Sequence, residues 1–206
     1  MMKLRHLGYL LLVALVAAAP RPAPAQDLAK DAGAFVQSLG DQAIKVITDK
    51  GLTPGDREKK FHQIFVEHFD VPAIGRFVLG RYWRTASDAQ KTEFLKLFED
   101  MIVKTYNNRF TEYKGEQFVV TGSRADGDSA MVTTNVTRPG NSQPVKVDWR
   151  VLKPQGQLKI VDVVIEGVSM SVTQQQEFGS VIQRNGGQID GLLSTMRDRV
   201  QAQAKS

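Results

Sequence analysis

The chain has 206 residues, 42% of them hydrophobic and 24% charged, with a formal net charge of +5 and no cysteine. That length can carry one domain with a substantial core, and the missing thiols exclude disulfides, thiolate metal ligands and cysteine catalysis. No basic block accompanies the positive charge, which argues against nucleic acid as a partner.

Met1-Met2-Lys3-Leu4-Arg5 is a basic start, Leu7 to Ala19 is almost wholly apolar, and Ala23-Pro24-Ala25 is an A-x-A site. These features predict a secretory signal peptide over 1–25, ahead of a single domain over 26–206. The apolar run falls short of the roughly 20 residues that a spanning helix needs. It takes Lys3, Arg5 and Arg21 with it and no acid, so the net charge falls from +5 to +2. The expected location is the periplasm.

From Leu28 to about Lys50, the positions Phe35, Val36, Leu39, Ala43, Val46 and Ile47 recur at helical spacing. Thr53-Pro54 reads as an N-cap followed by proline at the first helical position. The helix beyond it carries Phe61, Ile64, Phe65, His68 and Phe69 on one face. Val71-Pro72 interrupts it, because proline disfavours helical backbone in the residue before it. A short helix is expected from Pro72 to about Tyr82. Ser87 and Gln90 form a capping box for a long helix to about Phe110. Its apolar stripe is Phe94, Leu97, Phe98, Met101, Ile102 and Tyr106.

After Lys114-Gly115 the period changes to 2. Gln117 to Thr121 and Ala130 to Thr137 are joined by the hairpin signal Asp126-Gly127-Asp128. Val145, Val147, Trp149 and Val151 then alternate with Lys146, Asp148 and Arg150. The last strand, Leu158 to Glu166, is largely apolar on both faces and should sit mid-sheet or be covered on both sides. Ser171 and Gln174 form a second capping box, which places a helix N-cap at Ser171. Asn185-Gly186-Gly187 stops that helix, and a final one carries Ile189, Leu192, Leu193, Met196 and Val200. The fold class is α+β: an antiparallel twisted sheet of four strands, or five, with N- and C-terminal helices enclosing an apolar interior.

Chemistry is hard to find in this pattern. Gly167-Val168-Ser169-Met170-Ser171 resembles a nucleophile elbow but has Ser171 where the second glycine belongs. His62 falls near the polar side of its helix, and His68 on the apolar stripe suits a hydrogen-bonded core histidine. Six residues turn a helix by about 600°, so the two do not converge on a metal. Gly75, Gly80 and Gly186-Gly187 fit no phosphate loop. Glu166 is either a buried functional acid or an acceptor for a neighbouring turn. No catalytic residue, metal or cofactor is expected. The concentration of aromatic residues between Phe61 and Phe110 either fills a core or lines a cavity, and periodicity does not separate the two.

Phe69-Asp70-Val71-Pro72-Ala73-Ile74-Gly75-Arg76-Phe77-Val78-Leu79-Gly80-Arg81-Tyr82-Trp83-Arg84 resembles the signature of the MlaC/toluene-tolerance family of periplasmic lipid-binding proteins. The Gln90 to Tyr106 helix, Pro144 to Arg150, and Val161 to Met170 continue the likeness in order. Phe178 to Gly187 is most similar to the hopanoid-associated HpnM branch. The resemblance implies a carrier that holds phospholipid, or a hopanoid, in an apolar cavity between sheet and helices. Its partners would be an inner-membrane ABC transporter complex and an outer-membrane lipoprotein complex. Combining motif position with the dry face of each element, the lining is expected from Phe77, Val78, Tyr82, Phe98, Met101, Ile102 and Tyr106 on the helices. From the sheet and the joint after it come Val147, Trp149, Val163, Ile165, Val168 and Met170. The bound lipid is cargo, and the other readings are a cargo-free envelope adaptor and an enzyme on the same scaffold.

Overall fold

In the computed structural model, residues 24–110, 112–140 and 143–203 are described; all but the last two residues of the expected signal peptide fall outside them. Helix α1 (Pro24–Thr48) lies on β1 (Gln117–Asp126) and β2 (Ser129–Thr137). Helices α2 (Pro54–His68), α3 (Val71–Leu79), α4 (Asp88–Phe110), α5 (Met170–Arg184) and α6 (Ile189–Gln203) form the other layer. Between them in the chain, β3 (Val145–Leu152), β4 (Lys159–Ile165) and the two-residue β5 (Val168–Ser169) complete an antiparallel meander ordered β1-β2-β3-β4-β5. This is the α+β architecture expected, with the fifth strand present.

Local signals explain most boundaries. Thr53 caps α2 by accepting the Asp56 N–H, and Asp70 caps α3 by accepting the Ala73 N–H. Ser87 and Gln90 exchange both capping-box hydrogen bonds, at 3.2 and 2.9 Å. Between α2 and α3 the chain is extended at Phe69 and hooks onto the sheet: Phe69 bridges to Ile160, and the Asp70 N–H donates to the Ile160 carbonyl at 2.9 Å. The break at Val71-Pro72 therefore fastens the helical layer to β4. The helix expected to reach Tyr82 ends at Leu79, where Gly80 takes a φ of 56°, and a 3₁₀ turn (Gly80–Arg84) follows.

The second capping box is corrected by two residues. Ser169, not Ser171, is the N-cap of α5, and its Oγ accepts the Val172 N–H at 3.1 Å. Asp162 decides between the two serines: it accepts both the Ser169 hydroxyl, at 2.6 Å, and the Ser171 N–H, at 3.1 Å. Ser171 is left buried one residue inside the helix.

Cross-strand register sets the inner face of the sheet. Val132, Trp149 and Val163 pair in one row, and Thr134, Val147 and Ile165 in the next. A register shift opposite Arg150 and Val151 leaves Val161 as an extra residue in β4. That bulge lets Ile160 share a face with Val163, three positions away, which a regular strand would forbid. The apolar double face read in this strand is in part a strand that changes phase.

Buried side chains fall into two clusters. One lies within the helical layer, around Phe94, Phe98, Phe178, Leu192, Leu193 and Met196. The other lies between α1 and the sheet, around Ala32, Val36, Val132, Val151 and Ile160. Phe69 packs against both.

Candidate binding cavity

The two clusters do not meet along their whole length. Between them is an apolar cavity of about 440 Å³, adjoined by a smaller one of about 170 Å³. Phe65, Phe69, Tyr106, Trp149 and Val163 line both, so these five side chains form the waist of one two-lobed hollow. The larger volume lies in the range of about 300–1,000 Å³ typical of small-molecule sites.

Each wall has a local cause. Leu39, Ala43, Ile44 and Ile47, at helical spacing, present the C-terminal half of α1 to the large lobe. Helix α2 contributes Phe61, Ile64 and Phe65 at the same spacing, and the sheet gives Phe118, Val136, Val147 and Ile165. The approach of α1 to the sheet depends on Gly40, where an added Cβ would lie 2.4 Å from two Phe118 ring carbons. Trp149 presents carbon to the cavity because its indole N–H is spent elsewhere. It donates to the Thr134 hydroxyl at 2.9 Å, and that hydroxyl donates to the Val147 carbonyl at 3.1 Å. Phe118 meets the Trp149 ring edge-on, with centroids 6.0 Å apart.

Polar groups gather at one margin of the large lobe: Glu112, Tyr113, Glu116, Gln117 and Arg138. Glu116 accepts the Lys114 N–H at 2.8 Å, which holds its carboxyl below the usual Glu range, and Arg138 at 3.5 Å acts in the same direction. Among the described residues Asp162 is the one carboxylate lining the small lobe, and its hydrogen bonds to Val163, Ser169 and Ser171 commit it to the start of α5. Those bonds place Met170 in the wall.

Of the expected lining residues, Val78, Phe98, Ile102 and Met170 line the small lobe, Val147 and Ile165 the large one, and Tyr106, Trp149 and Val163 both. Four others lie elsewhere. Phe77 is 47% exposed: Ile74 and Val78 take the inner face of α3, and Phe77 precedes Val78 by one position, about 100° around the helix. Val168 is 53% exposed, in the short edge strand just after the Glu166-Gly167 turn. Met101 is buried among the helical cluster, with its sulfur 3.9 Å from an Arg199 guanidinium nitrogen on α6. Tyr82 packs against the same cluster while its hydroxyl accepts from Arg81.

The residues missing from that expectation are chiefly those of α1 and α2, with Phe69, Ile74, Phe118 and Val136 besides. The helical stripes of α1 and α2 are plain in the sequence, but nothing in a stripe says whether it faces packed side chains or a void.

Among the described residues, no arrangement for acyl transfer is assembled around Ser169. The Ser169 hydroxyl meets Asp162 directly, whereas a serine nucleophile needs a base between itself and the acid. His68 is buried, with Nδ1 2.8 Å from the Ile64 carbonyl and its ring stacked on Phe35 at 5.4 Å. His62 pairs with Glu99 across the α2–α4 seam. Glu166 is an acceptor, taking the Lys146 N–H at 2.5 Å from a turn in which it and Gly167 have positive φ. Among the described residues, no group of three or more His, Asp or Glu side chains could hold a metal, and no helix is long and apolar enough to cross a membrane.

Comparison with known proteins gives a consistent set of likenesses. The family model described as MlaC protein matches residues 37–198. The intermembrane phospholipid transport system binding protein MlaC of Haemophilus influenzae is 26% identical over 134 residues, which cover 63% of this chain and 62% of that protein. Toluene tolerance protein ttg2D of Pseudomonas putida is 27% identical over 124 residues, covering 59% and 57%. The chain thus matches less than two thirds of the length of these curated relatives. A phospholipid-binding protein of Ralstonia solanacearum, solved in complex with a phospholipid, superimposes with a TM-score of 0.74 at 24% identity, over 84% of this chain and 98% of that one. That likeness establishes the shared fold.

Proposed function

The chain belongs to the MlaC family, and from that premise we propose that it is a lipid carrier of the periplasm. It is exported by a cleaved signal peptide over 1–25, and the domain over 26–206 holds phospholipid acyl chains in the two-lobed cavity. It passes lipid between an inner-membrane ABC transporter complex and an outer-membrane lipoprotein complex, without catalysing a reaction. The observation that supports this reading best is the hollow itself: an apolar space lined by both layers, with its charged groups gathered at one margin of the large lobe.

The driving force is transfer from water. Each buried methylene contributes about 0.8 kcal/mol, so enclosing acyl chains offsets their insolubility in the aqueous compartment. The residues proposed to touch lipid are Val78, Phe98, Ile102, Tyr106, Val147, Trp149, Val163, Ile165 and Met170, joined by the α1 and α2 side chains on the same walls. A two-lobed space suits two flexible chains parted at the waist. The likeness of Phe178 to Gly187 to the HpnM branch supports a hopanoid as the alternative cargo.

Native mass spectrometry of the exported protein, before and after organic extraction, tests the proposal. A mass decrease matched by phospholipid in the extract is the expected result, and a pentacyclic triterpenoid there would select the hopanoid. An empty protein that moves no lipid between vesicles would leave the cargo-free adaptor instead.

A further inference from the structure

The signature segment has a second face, which the cavity does not use. While Ile74 and Val78 of α3 point into the small lobe, Arg76 and Phe77 point outward, and the 3₁₀ turn adds Arg81, Trp83 and Arg84. Three shallow hollows adjoin there, of about 510, 540 and 300 Å³, and Arg81 lines all three. Among the described residues, no aspartate or glutamate lines any of them. Arg76, Arg81 and Arg84 have no ion-pair partner among the described residues, although eleven other lysines, arginines and histidines do. Arg81 is held by the Tyr82 hydroxyl at 2.9 Å and over the Tyr82 ring. Phe77, the exposed aromatic side chain on this face, sits in the wall of the first hollow.

Unpaired guanidinium groups around an exposed aromatic ring make a surface complementary to carboxylates. Arginine presents a rigid fork that takes a carboxylate through two parallel hydrogen bonds, and arginine and aromatic residues are enriched in the energetic centres of protein interfaces. We propose that this outer face of α3 and the 3₁₀ turn is the docking surface for an acidic polypeptide segment of a partner protein, with an apolar side chain of the partner against Phe77.

Shape favours a polypeptide over a bilayer. Phe77 lies within a concave wall, whereas insertion into a lipid interface needs apolar side chains projecting from the surface. The basic surplus is also local, in a domain whose net charge without residues 1–25 is only +2. The proposal deepens the carrier reading, on which its functional sense rests. Docking would load the back of the helix that walls the small lobe, and α3 is tied to α5 there by the Gln175 side chain donating to the Phe77 carbonyl at 2.5 Å. A partner bound to this face thus acts on an element that the cargo also touches.

The chain has two tryptophans, so Trp149→Phe leaves Trp83 as the only indole and a reporter in the first hollow. In that background, a short synthetic Glu-rich peptide with spaced leucines should change Trp83 emission saturably, and its Gln analogue should not. Adding Arg76→Gln, Arg81→Gln and Arg84→Gln should weaken the response about tenfold or more. Circular dichroism confirms folding, and Arg81→Gln alone is the milder variant should the triple one unfold. No saturable change, an equal change with the Gln analogue, or full binding by the folded variants would overturn the proposal. An equal change with phosphatidylglycerol vesicles would also overturn it and assign the face to a membrane. Lipid content of the protein with Trp149 and all three arginines retained is measured separately by mass spectrometry. Absent lipid there would count against the carrier reading while leaving the Trp83 result to stand or fall by itself.

Discussion

The helical core and the seam between helices and sheet are built from the same kinds of side chain, yet one is filled and the other hollow. In the helical core, Phe178 meets Phe94 and Phe98 edge-on, with interplanar angles of 85° and 83°, and Leu192, Leu193 and Met196 close the remaining space. In the seam, Phe61, Phe65, Phe69, Tyr106 and Trp149 stand around a void. Helix α4 runs from one region into the other: Phe94 is fully buried, whereas Ile102 and Tyr106, two and three turns later, face the cavity. What differs is the partner. Side chains of α3, α4, α5 and α6 interlock within the helical layer, whereas apolar faces of α1 and the sheet stand across the hollow from side chains of α2 and α4.

Phe178→Ala breaks the filled region and carries the largest expected effect on stability. A cavity opened in packed surroundings should cost about 3–5 kcal/mol, read as a lower midpoint in urea unfolding. If instead it costs less than about 1 kcal/mol, the helical core is looser than its geometry implies.

Ala43→Trp tests the hollow region from the opposite direction. Its side chain would enter the large lobe. Stability should change by less than about 1.5 kcal/mol, since volume is added to empty space, while co-purifying lipid should fall sharply. Retained lipid would show that the large lobe is not where cargo sits.

The smallest effect sharpens the joint between the regions. Ser169→Ala removes the α5 N-cap and a hydrogen bond to Asp162, and should cost about 0.5–2 kcal/mol. Ser171→Ala should cost less, because its hydroxyl makes only a 3.5 Å contact with the Val161 carbonyl. Equal losses in thermal unfolding would mean that the two serines share the cap.

Much of the fold was legible because local chemistry writes it. The capping box at Ser87, the break at Val71-Pro72, the hairpin at Asp126-Gly127-Asp128 and the stop at Asn185-Gly186 each depend on neighbours a few residues away. The site was legible only in part. Val147, Trp149, Val163 and Ile165 could be read from alternation and from the family likeness, but Val168, in the same segment as Val163 and Ile165, and Phe77, in the signature segment, are exposed. Met101 belongs to the same α4 stripe as Ile102 and packs on α6. The cap at Ser169 escaped because two serines satisfy the same local pattern, and Asp162, seven residues back on β4, chooses between them.

By itself, then, the sequence determined which segments are helix or strand and which side of each is apolar. Periodicity and capping act within about one turn of the chain. Only the tertiary structure decided where apolar faces meet and where they stand apart. That depends on the Val161 bulge, on the closeness that Gly40 allows α1, and on the hook from Phe69-Asp70 to Ile160. Each of these joins residues far apart in the chain, and a hollow is a property of the space between elements rather than of any one of them.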